Sequence, residues 1–106
     1  MQILTDGRHL VLRGDFDARS TDRVRAVVYE LLETGDDDLV VDLTDVDSVD
    51  LTALRVLAVA TRQAARSGRP GRRLQLRGCN GAVRRLLHRS HLIRVVHLER
   101  AAPVPA

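Results

Sequence analysis

The sequence predicts an α/β domain with a mostly parallel sheet, an antiparallel hairpin at its N-terminal edge and helices packed against it. Three observations lead there. The spacing of apolar residues switches repeatedly between the short runs of strands and the i, i+3, i+4 recurrence of helices, in the order β-β-α-β-α-β-α-β. Strands that alternate with helices are joined by right-handed crossovers, which make them parallel. The first two strands are separated only by a short segment containing Asp6-Gly7, a dipeptide suited to the positive φ of a tight hairpin turn, so that pair is antiparallel.

Taking the chain in order, Ile3-Leu4-Thr5 and His9-Leu10-Val11-Leu12-Arg13 form the hairpin, and Gly14-Asp15-Phe16-Asp17 breaks the second strand. Ser20 or Thr21 can cap the first helix by accepting a backbone N–H bond. Val24, Val27, Val28, Leu31 and Leu32 then recur on one stripe, with Arg23, Arg25, Glu30 and Glu33 facing away and Gly35 as the C-terminal cap. Leu39-Val40-Val41-Asp42-Leu43 is short, apolar and rich in β-branched residues, as a central strand covered on both faces would be. Thr44 to Asp50 reads as an acidic turn. A second helix over Leu51 to Ser67 buries Leu54, Leu57, Ala58, Thr61, Ala64 and Ala65. Arg55, Arg62 and Arg66 lie on its opposite face, flanked by Val56 and Val59, and Gly68-Arg69-Pro70-Gly71 stops it. Leu74 to Arg77 alternates as a strand, Asn80 can cap a short helix carrying Val83, Leu86 and Leu87, and Arg94 to Leu98 forms the last strand.

One domain over residues 1–100 accounts for these elements, and 106 residues with 44% hydrophobic content suffice for one core. The Pro-containing segment 101–106 has nothing to bury and is expected to fray. The single Cys79 cannot form an internal disulfide, and no signal peptide or long apolar run is evident, so the expectation is a cytoplasmic protein without membrane insertion.

Charge is distributed unevenly. Residues 1–50 hold 5 Arg and 13 acids, a net −8, whereas residues 51–106 hold 12 Arg and 1 acid, a net +11. Such polarity fits an acidic partner or an anionic surface, unless the two segments neutralise each other in the fold. Every basic side chain is Arg, which removes lysine-dependent chemistry.

Asp42, Asp45, Asp47 and Asp50 cluster in sequence, and clustered oxygens suit a hard cation, yet the glycine-hinged spacing of a calcium loop is missing. Solvated turn acids are the simpler reading, with Asp50 placed to cap the second helix. Thr52 follows in the first turn, where the positive end of the helix dipole would favour a phosphate, so it is the candidate phosphorylation site. His9, His88, His91 and His97 lack a metal-ligand motif, Cys79 has no evident base, and there is neither a Gly-rich phosphate loop nor a Ser elbow. No catalytic, cofactor or metal residue is assigned. The seven arginines 72, 73, 77, 84, 85, 89 and 94 could neutralise phosphates, but Phe16 and Tyr29 are the sole aromatics and both lie in the acidic half, so direct nucleic-acid binding is not expected.

Taken together, four places resemble the STAS domain family, and most closely its stand-alone bacterial anti-sigma factor antagonists. They are Gly14-Asp15-Phe16-Asp17 with Thr21, Leu39 to Leu43, Val46 to Leu57, and the run from Leu74-Gln75-Leu76 to Leu87. The resemblance implies a regulator of transcription, not an enzyme, acting by partner switching. Its partner would be an anti-sigma factor of the ATP-binding serine-kinase type, and the free protein a monomer or weak dimer. It also implies a binding surface at Asp17, Asp50, Leu51, Thr52, Ala53, Leu54, Arg55, Val56, Val59 and Arg62. The family carries Asp, a phosphorylatable Ser, Ser or Thr, Gly and an aliphatic residue where this chain has Asp50, Leu51, Thr52, Ala53 and Leu54. Leu51 has no hydroxyl, so phosphorylation control is absent or moved to Thr52. Two alternatives remain open: a STAS subunit of a lipid-transport or stress-sensing complex, and a metal-dependent phosphatase-like enzyme using the acids from Asp42 to Asp50.

Overall fold

A computed structural model describes residues 1–35, 37–66 and 73–99. The order is β1 (Gln2–Asp6), β2 (His9–Phe16), α1 (Thr21–Thr34), β3 (Leu39–Val49), α2 (Leu51–Arg66), β4 (Leu74–Arg77), α3 (Gly81–Arg89), a 3-10 turn (Leu92–Arg94) and β5 (His97–Leu98). The strands form one sheet in sequence order, β1-β2-β3-β4-β5. β1 pairs antiparallel with β2, and every later pair is parallel. This is the α/β architecture that the sequence predicts.

Alternation along the strands sorts residues between the two faces of the sheet. One cross-strand row runs Leu10, Val41, Leu76, Leu98, and its members join a single apolar core with Val24, Val28 and Leu32 of α1, Leu54, Leu57 and Ala58 of α2, and Val83 and Leu87 of α3. The adjacent row reads Asp6, His9, Val40, Gln75, His97, a largely polar set on the opposite face.

Several local expectations are corrected. Gly14-Asp15-Phe16 does not break β2, and the acidic segment after Leu43 is not a turn. Both strands continue as a pair, with Arg13 opposite Asp45, Gly14 opposite Val46, Asp15 opposite Ser48 and Phe16 opposite Val49. The register shifts between Val11 and Arg13 and again between Gly14 and Asp15. Each shift places one extra residue in β3, a bulge that breaks the period of two, so buried Val46 and half-buried Val49 fall three apart and the strand reads as a turn.

Ser20 occupies the N-cap of α1 but its hydroxyl makes no capping bond there. It donates instead to the carbonyls of Asp15 and Asp17, while Thr21 donates to the Ala18 carbonyl at 3.0 Å. Gly35 ends α1 in an extended conformation, not the left-handed one expected of a glycine cap. An added Cβ there would lie 2.6 Å from Nη1 of Arg8, so the flexible end of that side chain would have to shift. In α2, Ala65 is exposed and Ala60 is buried, the reverse of the assignment of Ala65 to the core.

The final strand is two residues, not five. Ser90 and left-handed His91 end α3, and the N–H groups of Val95 and Val96 both donate to the Leu92 carbonyl, so Leu92–Val95 is coiled. Ser67, the Gly68–Gly71 stop, the domain limit at 100 and the 101–106 tail lie outside the described residues. No described helix is long and apolar enough to cross a membrane.

Candidate partner-binding surface

Parallel strands β3 and β4 release the chain at the same end of the sheet, where open α/β sheets place their sites. β3 enters α2 through one residue, Asp50. Its N–H donates to the Phe16 carbonyl at 3.2 Å, which holds the corner against the end of β2. Its carboxylate is divided between two segments: Oδ1 accepts from the Ala53 N–H at 2.8 Å and caps α2, and Oδ2 accepts from the Ala18 N–H at 3.1 Å. The capping role expected of Asp50 is therefore present, and a second bond draws the Asp17 loop to the start of α2.

That loop is itself closely tied. Asp17 Oδ1 accepts from the Arg19 N–H at 3.0 Å, and its Oδ2 pairs with the Arg19 guanidinium at 2.8 Å. The Arg19 side-chain bond holds the Asp17 carboxyl below its ordinary value. Ser48 of β3 donates to Asp15 Oδ1 at 2.7 Å and closes the link between the two strands.

Past Asp50, the proposed contact residues separate by depth. Thr52, Arg55, Val59 and Arg62 are exposed, with Val59 at 51%, and Leu51 and Asp17 are half-buried. Ala53, Leu54 and Val56 are buried, and Val56 does not share the exposed side of the helix as expected. The reason is angular: Val56 follows Arg55 by one residue, about 100° around the helix, and turns toward α1. The exposed four recur at spacings of three and four, so they form a ridge.

A cleft lies on each side. One, of about 320 Å³, is lined by Arg25 and Tyr29 of α1 with Thr52, Arg55, Val56 and Val59. The other, of about 160 Å³, is lined by Arg55, Ala58, Val59 and Arg62 with Leu92 and Val95. Sequence reading missed Arg25, Tyr29, Leu92 and Val95. Tyr29 follows Arg25 by four residues beside the buried Val24-Val28 stripe, a spacing that marks a partly exposed flank; nothing in the sequence signals that Leu92 and Val95 would stand against α2.

The acids do not gather. Asp45 pairs with Arg13 at 3.3 Å, Asp42 accepts from the Thr44 N–H at 2.9 Å, and Asp50 is the cap. Among the described residues no three His, Cys, Asp or Glu side chains are placed to hold a metal ion. Cys79 is half-buried between β4 and α3, and burial pushes its thiol up.

The fold agrees with a comparison against known families, in which a model described as "Mlab, STAS domain" matches residues 2–98. The chain belongs to the STAS domain family. No curated protein sequence matches it. Its STAS fold aligns with a Thermotoga maritima protein described as an anti-sigma factor antagonist, at 20% identity and a TM-score of 0.74, covering 94% of this chain and 86% of the other. It also aligns with the anti-sigma factor antagonist SpoIIAA in its unphosphorylated form, at 16% identity and a TM-score of 0.70, covering 93% and 87%. A sulfate transporter family protein from Wolinella succinogenes aligns at 21% identity and a TM-score of 0.65, covering 81% and 67%. At these identities the STAS fold is what is shared.

Proposed function

We propose that this STAS protein is a cytoplasmic, non-catalytic regulator that binds an anti-sigma factor of the ATP-binding serine-kinase type. The contact is made through the Asp17 loop, the Asp50–Leu54 corner and the exposed ridge of α2. The observation that carries the reading is Asp50, whose carboxylate bonds both Ala18 and Ala53. It fixes two separate segments into one surface while leaving Thr52 bare.

Leu51 occupies the position where the family's phospho-acceptor serine would stand, and it offers no hydroxyl. Thr52 is the hydroxyl that remains. A phosphoryl group there would add a charge of about −1.5 to −2 to a cleft lined by Arg25 and Arg55, reversing the local field in the direction a partner would sense. The test is incubation with the cognate kinase and ATP, followed by mass spectrometry of the wild type and of Leu51→Ser. Phosphate is expected on Ser at 51 in the variant, and on Thr52 or nowhere in the wild type. Modification at another residue, or a Leu51→Ser protein that neither binds the kinase nor accepts phosphate, overturns the reading.

A second reading, a STAS subunit of a lipid-transport or stress-sensing complex, stays open because the matching family model is described as "Mlab, STAS domain" and not as an anti-sigma factor antagonist. It uses the same ridge on a different partner, and identification of the bound protein separates the two. The phosphatase-like reading has no support from the spread of the acids along β3, and Asp47→Ala with a metal-dependent phosphatase assay tests it directly.

A further inference from the structure

Among the described residues, ion pairing does not cancel the strong charge polarity of the chain. Ion pairs among the described residues join Arg13 to Asp45, Arg19 to Asp17, Arg25 to Asp22 and Arg77 to Glu99. The first three lie within the acidic half of the chain, and the fourth consumes the single acid of the basic half. Arg55 and Arg62 therefore have no carboxylate partner among the described residues. They bracket Val59, whose side chain stands half in water on the ridge of α2.

We propose that this ridge receives an acidic amphipathic helix of the partner protein. This rests on the reading of α2 as the partner-binding surface and specifies the chemistry of what binds it. The apolar stripe of the incoming helix would straddle Val59, filling the cleft against Tyr29 and Val56 on one side and the cleft against Ala58, Leu92 and Val95 on the other. Its flanking carboxylates would meet Arg25, Arg55 and Arg62, which rim those clefts. Thr52 to Arg62 spans about 15 Å at 1.5 Å per residue, enough for roughly three turns of a partner helix. Arginine suits the rim because its planar fork binds carboxylates in pairs. An apolar floor under a basic rim matches a helix-in-groove contact. A nucleic acid would gain little from Val59, Leu92 and Val95, and the described surface offers it no aromatic except Tyr29 in the cleft wall.

The experiment is an NMR titration of the isotopically labelled full chain with a synthetic helical peptide carrying a Leu stripe flanked by Glu. The comparison ligands are the same peptide with Lys for Glu, a DNA duplex and vesicles containing anionic lipid. Amide shifts confined to residues 25–29, 52–62 and 92–95, produced by the acidic peptide alone, are expected. Val59→Asp should weaken that binding at least tenfold with the circular dichroism spectrum unchanged, and Arg55→Glu with Arg62→Glu should move the preference to the Lys peptide. Equal response to both peptides, no response to either, or a stronger response to DNA or vesicles overturns the proposal. A parallel binding assay with the cognate anti-sigma factor separates the two levels. If that factor binds, Val59→Asp abolishes it and the acidic peptide is ignored, the acidic-helix proposal fails alone; if the factor does not bind at all, the underlying reading fails.

Discussion

At the end of β3 one residue, Asp50, carries the chain from strand into helix, whereas at the end of β4 three residues, Gly78, Cys79 and Asn80, make the same passage. Both helices are capped by a side chain: Asp50 accepts from the Ala53 N–H at 2.8 Å and Asn80 from the Val83 N–H at 3.0 Å. Their second bonds differ. Asp50 reaches the Ala18 N–H on a separate loop, while Asn80 Nδ2 donates to the Val46 carbonyl within the neighbouring strand at 3.4 Å. The β4 corner is also closed sterically, because left-handed Gly78 packs against Thr44, and Arg84 Nε donates to the Cys79 carbonyl. The β4 corner bonds only to its neighbouring strand and within its own helix start. The β3 corner reaches a separate loop and so joins two segments of chain beside the exposed Thr52.

The comparison can be broken first at Gly78. Its φ is +71°, and an added Cβ would lie 3.0 Å from the Thr44 backbone Cα and closer still to the Thr44 hydroxyl. Gly78→Ala is expected to destabilise by about 2–4 kcal/mol, combining left-handed strain with overpacking, measured by urea unfolding. Thr44→Ala in the same protein should recover part of that loss and not all, since the backbone contact and the φ persist.

Next comes the pair of caps. Asp50→Ala loses a helix cap and a charge-assisted bond to Ala18, an expected cost of about 2 kcal/mol, against about 1 kcal/mol for Asn80→Ala, whose second bond is long. Amide exchange should quicken at Ala18 only in the Asp50 variant. Equal costs and an unchanged Ala18 would show that Asp50 is an ordinary cap and that the two corners are alike.

The smallest effect is electrostatic and sits beside the β4 corner. Arg77 donates to Glu99 through Nε and Nη2, each at 2.8 Å, and these bonds hold the Glu99 carboxyl below its ordinary 4.5. A carboxyl lowered in the folded state binds fewer protons there than in the unfolded state. Its contribution is therefore complete above the ordinary value and is lost as pH falls through the lowered one. Both groups are open to solvent, so the slope is shallow. Unfolding measured between pH 5 and 3 should show a slightly weaker loss of stability in Glu99→Gln than in the wild type.

Much of this arrangement is legible in the sequence. The order of elements follows from apolar spacing, the hairpin from Asp6-Gly7, and the caps at Asp50 and Asn80 from their positions ahead of helical stripes. What escaped reading is non-local. The bulged pairing of β2 with β3 disguises eleven residues of strand as five, because bulges erase the alternation by which strands are recognised. The burial of Val56 depends on α1, and the cleft walls at Tyr29, Leu92 and Val95 depend on which elements the sheet order brings beside α2. The diversion of the Ser20 hydroxyl from capping to the Asp15 and Asp17 carbonyls is equally a matter of the folded loop.

The contact between Arg8 and Gly35 ties two positions that lie far apart in the chain. The Arg8 guanidinium donates to the carbonyls of Leu31 and Asp37, its Nε is buried without a partner, and it fills the space a side chain at 35 would need. The backbone at Gly35 is extended and would accept any residue, so the constraint belongs to the pair. Substitutions at these positions should be epistatic: Gly35→Ala displaces the guanidinium from the Leu31 and Asp37 carbonyls and is mildly destabilising while Arg8 is present, and it is neutral beside Arg8→Ala.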